Sequence, residues 1–199
     1  MIACGRKPYG GKQVTDFTLR LMSYNIHHAN PPSQPGMIDM DTIAAVFNKQ
    51  QADVVFLQEV DVLTKRAKVN EAAVLAQKTG MQVYFGKAID FDGGEYGVAI
   101  LSRYALTETK TTRLPTAVGT NGEPRVLATA HIVVNGKTIT LACTHLDAQR
   151  SDTNRLLQMS AINTLLKDEV HPVLLAGDFN AVPGSSVINL LDQHFTRSC

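Results

Sequence analysis

Leu174-Leu175-Ala176-Gly177-Asp178-Phe179-Asn180-Ala181-Val182-Pro183-Gly184 is the most informative segment of the chain. The apolar run that opens at Val173 reads as a buried strand, Gly177 lets the backbone close up, and Pro183-Gly184 turns the chain. Between strand and turn stand two polar side chains, spaced two residues apart. Successive side chains on an extended chain point to opposite sides, so Asp178 and Asn180 are expected to face one way, with Phe179 packed behind them. A carboxylate beside a carboxamide can hold and orient a water or a phosphate.

Upstream, the same pattern recurs. Phe17 to Tyr24 alternates as a first strand with Asn25 at its carboxyl end. Asp53 to Gln58 is a short, almost wholly apolar strand that runs into Glu59, as expected when both faces of a sheet are covered. Arg125 to Val134 and Lys137 to Cys143 are joined by Asn135-Gly136, a strong hairpin signal, and the second arm ends in Thr144-His145. Met81 to Phe85 and Val98 to Leu101 read as two further strands around a polar, glycine-rich loop, Asp92 to Tyr96.

Helices fall between these strands. Pro31, Pro32 and Pro35 keep the chain irregular until Asp39 or Asp41 caps a helix whose inner face is Ile43, Val46 and Phe47. Asn70-Glu71 starts a second, with Ala72, Leu75 and Ala76 inward and Gly80 ending it. Asp152 is placed to cap a third, carrying Leu156, Met159, Ile162 and Leu166 inward.

Four apolar strands thus deliver polar groups at their carboxyl ends: Asn25, Glu59, His145, and the pair Asp178 and Asn180. In layered α/β folds, strand ends and the loops after them build the site, so a shared edge is expected. Glu59 offers a hard carboxylate oxygen and Asn25 an amide oxygen; with no accompanying thiolates this suits Mg²⁺ or Mn²⁺ rather than zinc. Magnesium takes one or two carboxylates and relies on substrate phosphate for much of the rest, so the sparse ligand set points to a phosphate ester. His27 and His28 read as ordinary loop histidines, Cys143 as a buried core residue, and Asp147, Gln149 and Arg150 as loop and cap residues.

The bounds agree with one globular domain: 199 residues, 44% hydrophobic and 19% charged, support one sizeable core. A formal net charge of +1 creates no overall field toward nucleic acid or an anionic membrane. Cys4, Cys143 and Cys199 are too scattered for a disulfide framework or a zinc site, and no run approaches the length of a transmembrane helix. Met1-Ile2-Ala3-Cys4-Gly5 has the residue order of a bacterial lipoprotein cleavage site, without the charged and apolar regions that precede one. Residues 1–16 are expected to be a tail. Were Cys4 lipidated, Gly5 to Thr15 would be a polar tether and the protein would work outside the cytoplasm, meeting a membrane through that lipid; otherwise it is cytoplasmic.

Together these motifs resemble the endonuclease/exonuclease/phosphatase superfamily, the metal-dependent hydrolases with the fold of deoxyribonuclease I. The resemblance lies in Met22-Ser23-Tyr24-Asn25-Ile26, Val55-Phe56-Leu57-Gln58-Glu59-Val60, Tyr96-Gly97-Val98-Ala99-Ile100-Leu101-Ser102-Arg103, Thr144-His145-Leu146 and Gly177-Asp178-Phe179-Asn180, in the family order. It implies an α/β four-layer sandwich of two mixed β-sheets flanked by helices, over residues 17–199, and hydrolysis by in-line attack of water on phosphorus. Glu59 would bind a divalent metal, Mg²⁺ or Mn²⁺, with Asn25 supporting the metal or the phosphate. Asp178 would orient the water, and Asn180 and His145 would hydrogen-bond phosphoryl oxygens. Arg125 would be a further phosphate contact.

The family finishes with a Ser-Asp-His run that these residues do not contain; the chain ends Thr196-Arg197-Ser198-Cys199. The domain is therefore expected to be C-terminally incomplete, with sheet edges in need of cover. The expected activity is hydrolysis of a small phosphodiester or a phospholipid head group by a monomer. The alternatives are a nuclease of the same family, or an inactive phosphate-binding module. Only Arg6-Lys7 and Lys65-Arg66-Lys68 are dense basic groups, which disfavours DNA.

Overall fold

The computed structural model describes residues 2–4, by their backbone, and 17–198. In chain order the elements are β1 (Ile2–Cys4), β2 (Leu21–Asn25), a short 3-10 turn (His27–Ala29), α1 (Met40–Gln50), β3 (Val54–Val62), α2 (Glu71–Thr79), β4 (Gln82–Phe91), β5 (Gly94–Ser102), β6 (Thr107–Arg113), β7 (Val126–Val134), β8 (Lys137–His145), α3 (Thr153–Leu166), β9 (Val173–Asp178), α4 (Ser186–Asp192) and β10 (Thr196–Arg197).

The strands form two mixed sheets, one of six strands in the order β10-β1-β9-β8-β7-β6 and one of four in the order β2-β3-β5-β4. Each contains one parallel pair, β2 with β3 and β8 with β9, and antiparallel neighbours otherwise. Three apolar clusters fill the gaps. Val54, Phe56, Val98 and Ile100 of the smaller sheet pack between the sheets against Ala128, Ile132, Leu141 and Leu174. Val55, Leu57, Ala99 and Leu101, alternating with them, face Phe47 of α1 and Leu75 of α2. On the far side Leu127, Ala142 and Leu175 meet Met159 and Ile162 of α3 and Ile188 and Leu191 of α4. Strands apolar on both faces are thus sandwiched twice, and the molecule has the four layers expected.

Local signals act as read at the helix ends. Asp39, not Asp41, caps α1 by accepting the Thr42 N–H at 2.9 Å, while Asp41 pairs with Lys78. Asn70 caps α2 by accepting from Ala73 at 2.9 Å, and Gly80 closes it in the left-handed region. Asp152 precedes α3 but does not cap it, because its carboxylate is taken by the Arg155 guanidinium one turn on. The loop expected over Asp92 to Tyr96 shrinks to a turn, and Gly94 to Tyr96 belong to β5. The first strand opens at Leu21; Phe17 and Leu19 precede it without strand pairing and pack against the core between the sheets.

Within the segment read as a tail, Ile2–Cys4 pairs antiparallel with both β9 and β10 and so covers the β9 edge. The tether at Gly5 to Thr15, and the side chain of Cys4 on which lipidation would fall, lie outside the described residues.

Candidate active site

Strand register brings the polar ends together. In the parallel pair of the larger sheet His145 is the register partner of Asp178, and in that of the smaller sheet Asn25 stands opposite Gln58, the residue before Glu59. The β3–β5 register shifts between Leu57 and Val60, and Glu59 has φ +57°. This bulge supplies one extra residue and turns the Glu59 carboxylate out of the in-out alternation. Gly177 is required by a close approach: a Cβ there would lie 2.1 Å from the Thr144 carbonyl oxygen, so the β8–β9 spacing next to the site depends on its absence.

Asn25 links the sheets. Its Nδ2 donates to Glu59 Oε1 at 2.8 Å and to Asp178 Oδ2 at 3.1 Å, and its Oδ1 accepts the His27 N–H at 3.0 Å. The oxygen keeps a second lone pair. Two carboxylates that would otherwise repel are held by the two protons of one amide. A turn rather than a pleat relates Asp178 and Asn180: β9 ends at Asp178, Asn180 has φ +47°, and its N–H donates to Asp178 Oδ1 at 3.0 Å. The Asn180 Nδ2 donates to the Leu146 carbonyl at 2.9 Å, and Phe179 is buried behind in the outer core.

His145 is buried between Arg125 and Asp178. The Arg125 guanidinium lies 3.3 Å from Nδ1, and Nε2 is 4.0 Å from Asp178 Oδ2. Arginine can only donate, so Nδ1 accepts and the proton sits on Nε2, aimed at Asp178. Burial, and then the Arg125 charge, push the His145 pKa down to about 4 against the pull of Asp178 and Glu59, so the ring is neutral at pH 7. Burial works to raise the Asp178 carboxyl, but the Asn180 N–H, the Asn25 amide and His145 hold it below the usual range. The site therefore pairs an ionised carboxylate with a neutral imidazole donor.

Arg125, just before β7, is itself buried and ion-paired to Glu123 at 2.9 Å; its Nε is buried with no partner among the described residues. Tyr96, the first residue of β5 to be buried, also lines this region. It is buried beside Arg125, and burial, with the Glu59 charge, pushes its phenol upward. A cavity of about 300 Å³ opens beside Asn25, Gln58, Gly177 and Asp178. Cys143 is the buried core residue expected: its thiol is pushed up to about 12, chiefly by burial, and is no nucleophile.

Glu59 Oε2 accepts no hydrogen bond among the described residues, and Asn25 Oδ1, which accepts the His27 N–H, has a lone pair left for a second partner. A hard divalent cation fits this donor set. The turn after β2 brings its two histidines, expected as ordinary loop residues, up to Glu59. His27, His28 and Ala29 have φ of +49°, +42° and +51°, a run costing about 1–2 kcal/mol per residue. His28 Nδ1 lies 4.0 Å from Glu59 Oε2.

The Endonuclease/Exonuclease/phosphatase family matches residues 22–197, across every element described above from β2 onward. The chain belongs to this family. The fold of its members recurs in a protein of the same family from Beutenbergia cavernae, 27% identical, with a TM-score of 0.72 over 85% of this chain and 50% of that one. The chain thus spans half the length of that relative. A mannosyl-6-phosphatase from Bacteroides thetaiotaomicron shares the fold at 17% identity and a TM-score of 0.71, covering 88% of this chain and 70% of that one. The human Nocturnin catalytic domain does so at 21% and 0.61, covering 86% and 68%. The family takes its name from endonucleases, exonucleases and phosphatases.

Proposed function

We propose that the protein is a divalent-metal-dependent phosphodiesterase that hydrolyses a small phosphodiester or a phospholipid head group by in-line attack of water. The observation that carries this reading is the Asn25 amide donating to Glu59 and Asp178 at once, beside a neutral His145. A divalent ion held by Glu59, with Asn25 Oδ1 supporting it, would neutralise charge on the bound phosphate.

The remaining work falls to the chain's own side chains. Asp178, ionised and fixed by two donors, would accept a hydrogen bond from the attacking water and aim it at phosphorus. His145 would offer its Nε2–H, and Asn180 its second amide proton, to phosphoryl oxygens as charge builds on them. Arg125 fixes the His145 tautomer and would compensate part of the same charge. Asn25 keeps both carboxylates in place, so its loss would misplace two groups together.

The test is hydrolysis of a panel of phosphodiesters and monoesters with Mg²⁺ or Mn²⁺, with chelator, and with Asp178→Asn. Turnover should vanish with chelator and fall by about 10²-fold or more in the variant. Undiminished turnover by Asp178→Asn would sink the assignment.

A further inference from the structure

We propose that His27, His28 and Glu59 form a binding site for a divalent transition-metal ion, with Zn²⁺ or Co²⁺ preferred to Mg²⁺. One donor atom from each residue lies within 4.8 Å of the others. Donors that share an ion at about 2.0–2.2 Å stand roughly 3–3.5 Å apart, a contraction that small side-chain rotations supply.

The turn presents the two rings as ligands. His27 Nδ1 lies 3.0 Å from the Asn30 carbonyl, so this nitrogen carries the proton and Nε2 keeps its lone pair. A ring proton bonded to a backbone carbonyl is how a ligating histidine is commonly oriented. His28 Nδ1 is buried and has no hydrogen-bond partner among the described residues. A buried ring nitrogen normally finds a partner, and the nearest carboxylate oxygen, Glu59 Oε2, sits too far for a hydrogen bond and well placed to share an ion. The ring centroids are 4.3 Å apart.

The backbone holds this arrangement against its own preference. Ala29 N–H donates to the Ile26 carbonyl and Asn30 N–H to that of His27, both at 2.9 Å, while Ile26 N–H reaches the Gln58 carbonyl at 3.1 Å. The turn is thereby tied to the strand that bears Glu59. Left-handed residues in succession, none of them glycine, mark a conformation kept for what it positions.

Charge permits a cation here. The facing basic group, Arg66, is neutralised by two hydrogen bonds to Asp61 at 2.6 and 2.9 Å. Two imidazoles and one carboxylate favour borderline ions over magnesium, which prefers oxygen alone. Because Glu59 turns Oε1 to Asn25 and Oε2 to the histidines, the ion would share its carboxylate with the catalytic group. The binding site stands on geometry; only its link to turnover rests on the hydrolase reading.

The experiment is titration of the full chain with Co²⁺, followed by visible absorption and by proton NMR of hyperfine-shifted histidine signals. Two shifted imidazole sets are expected, with Co²⁺ retained against a hundredfold excess of Mg²⁺. His27→Asn and His28→Asn, chosen because asparagine tolerates the left-handed region, should each remove one set and weaken Co²⁺ binding at least about tenfold. The wild-type spectrum alone can overturn the proposal: saturating Co²⁺ without shifted histidine signals, or displacement by Mg²⁺, does so whether or not the variants fold. Nitrogen-ligated Co²⁺ in a protein that turns over no phosphoester supports this site and sinks the hydrolase reading. Metal-dependent turnover with oxygen ligation alone does the reverse.

Discussion

His145 and Asp178 show how neighbouring residues acquire opposite protonation tasks from their surroundings. Burial depresses the imidazole and leaves it a neutral donor, whereas the same burial is overcome at Asp178 by donors aimed at its charge. Glu71 is the contrasting case. It is fully buried at the start of α2, accepts the Asp61 N–H at 2.8 Å through Oε2, and leaves Oε1 without a partner. Burial pushes its pKa up to about 8. Between the ordinary carboxylate value and pH 8 the folded chain therefore holds a proton that the unfolded chain has released, so stability falls as pH rises through this window. The contribution is on the order of a few kcal/mol. Glu71→Gln keeps an acceptor for Asp61 and cannot ionise. Thermal denaturation from pH 5 to 9 should show wild type losing stability toward pH 9 relative to Glu71→Gln; parallel curves would contradict the assignment. Asn25, His145 and Asp178 were legible because each ends an apolar strand, whereas Glu59 lies inside β3 and Arg125 just before β7. The Arg125–His145 contact, the environment of Tyr96 and the left-handed turn at His27 were not legible, because they arise from the packing of strands distant in sequence.

At the scale of elements, apolar patterning identified the buried strands, and cap residues placed α1 and α2 to within a residue or so. β6 was missed. Its sequence, Thr-Glu-Thr-Lys-Thr-Thr-Arg, has no apolar alternation, because it is an edge strand with mostly exposed side chains and one neighbour, β7. The bulge at Glu59 escaped for another reason: the strand is apolar on both faces, so a register shift leaves no trace in its composition. Gly177 tests how strictly element spacing governs the site. Gly177→Ala would drive a methyl group against the Thr144 carbonyl in the strand that ends at His145. Relief requires β8 and β9 to part, which should cost about 1–3 kcal/mol in denaturant unfolding. It should also lower kcat more than it raises KM, because His145 and Asp178 would lose register together. A variant as stable and as active as wild type would show that the approach is relaxed without moving the site.

For the whole molecule, the balance of charge bears on what the site can receive. A duplex binder needs a stripe of free cations, since each neutralised phosphate releases counterions and steepens the salt dependence of binding. Of the two dense basic groups in the sequence, Arg6-Lys7 lies outside the described residues. In the other, Lys65 pairs with Asp92 at 3.4 Å and Arg66 with Asp61 at 2.6 Å. Lys87 meets both Asp90 and Glu95, and Arg125 meets Glu123. These cations are thus each paired with a carboxylate of the same chain, and the net charge is only +1. Binding to a DNA duplex of about 30 base pairs should accordingly be weak, with a slope of log affinity on log salt shallower than about −2, corresponding to some two phosphate contacts. A slope near −5 or steeper, together with metal-dependent nicking, would move the substrate to nucleic acid. A shallow slope with turnover of a short phosphodiester would place recognition in Arg125, Asn180 and the neighbouring cavity, where one phosphate can be held without a long charged track.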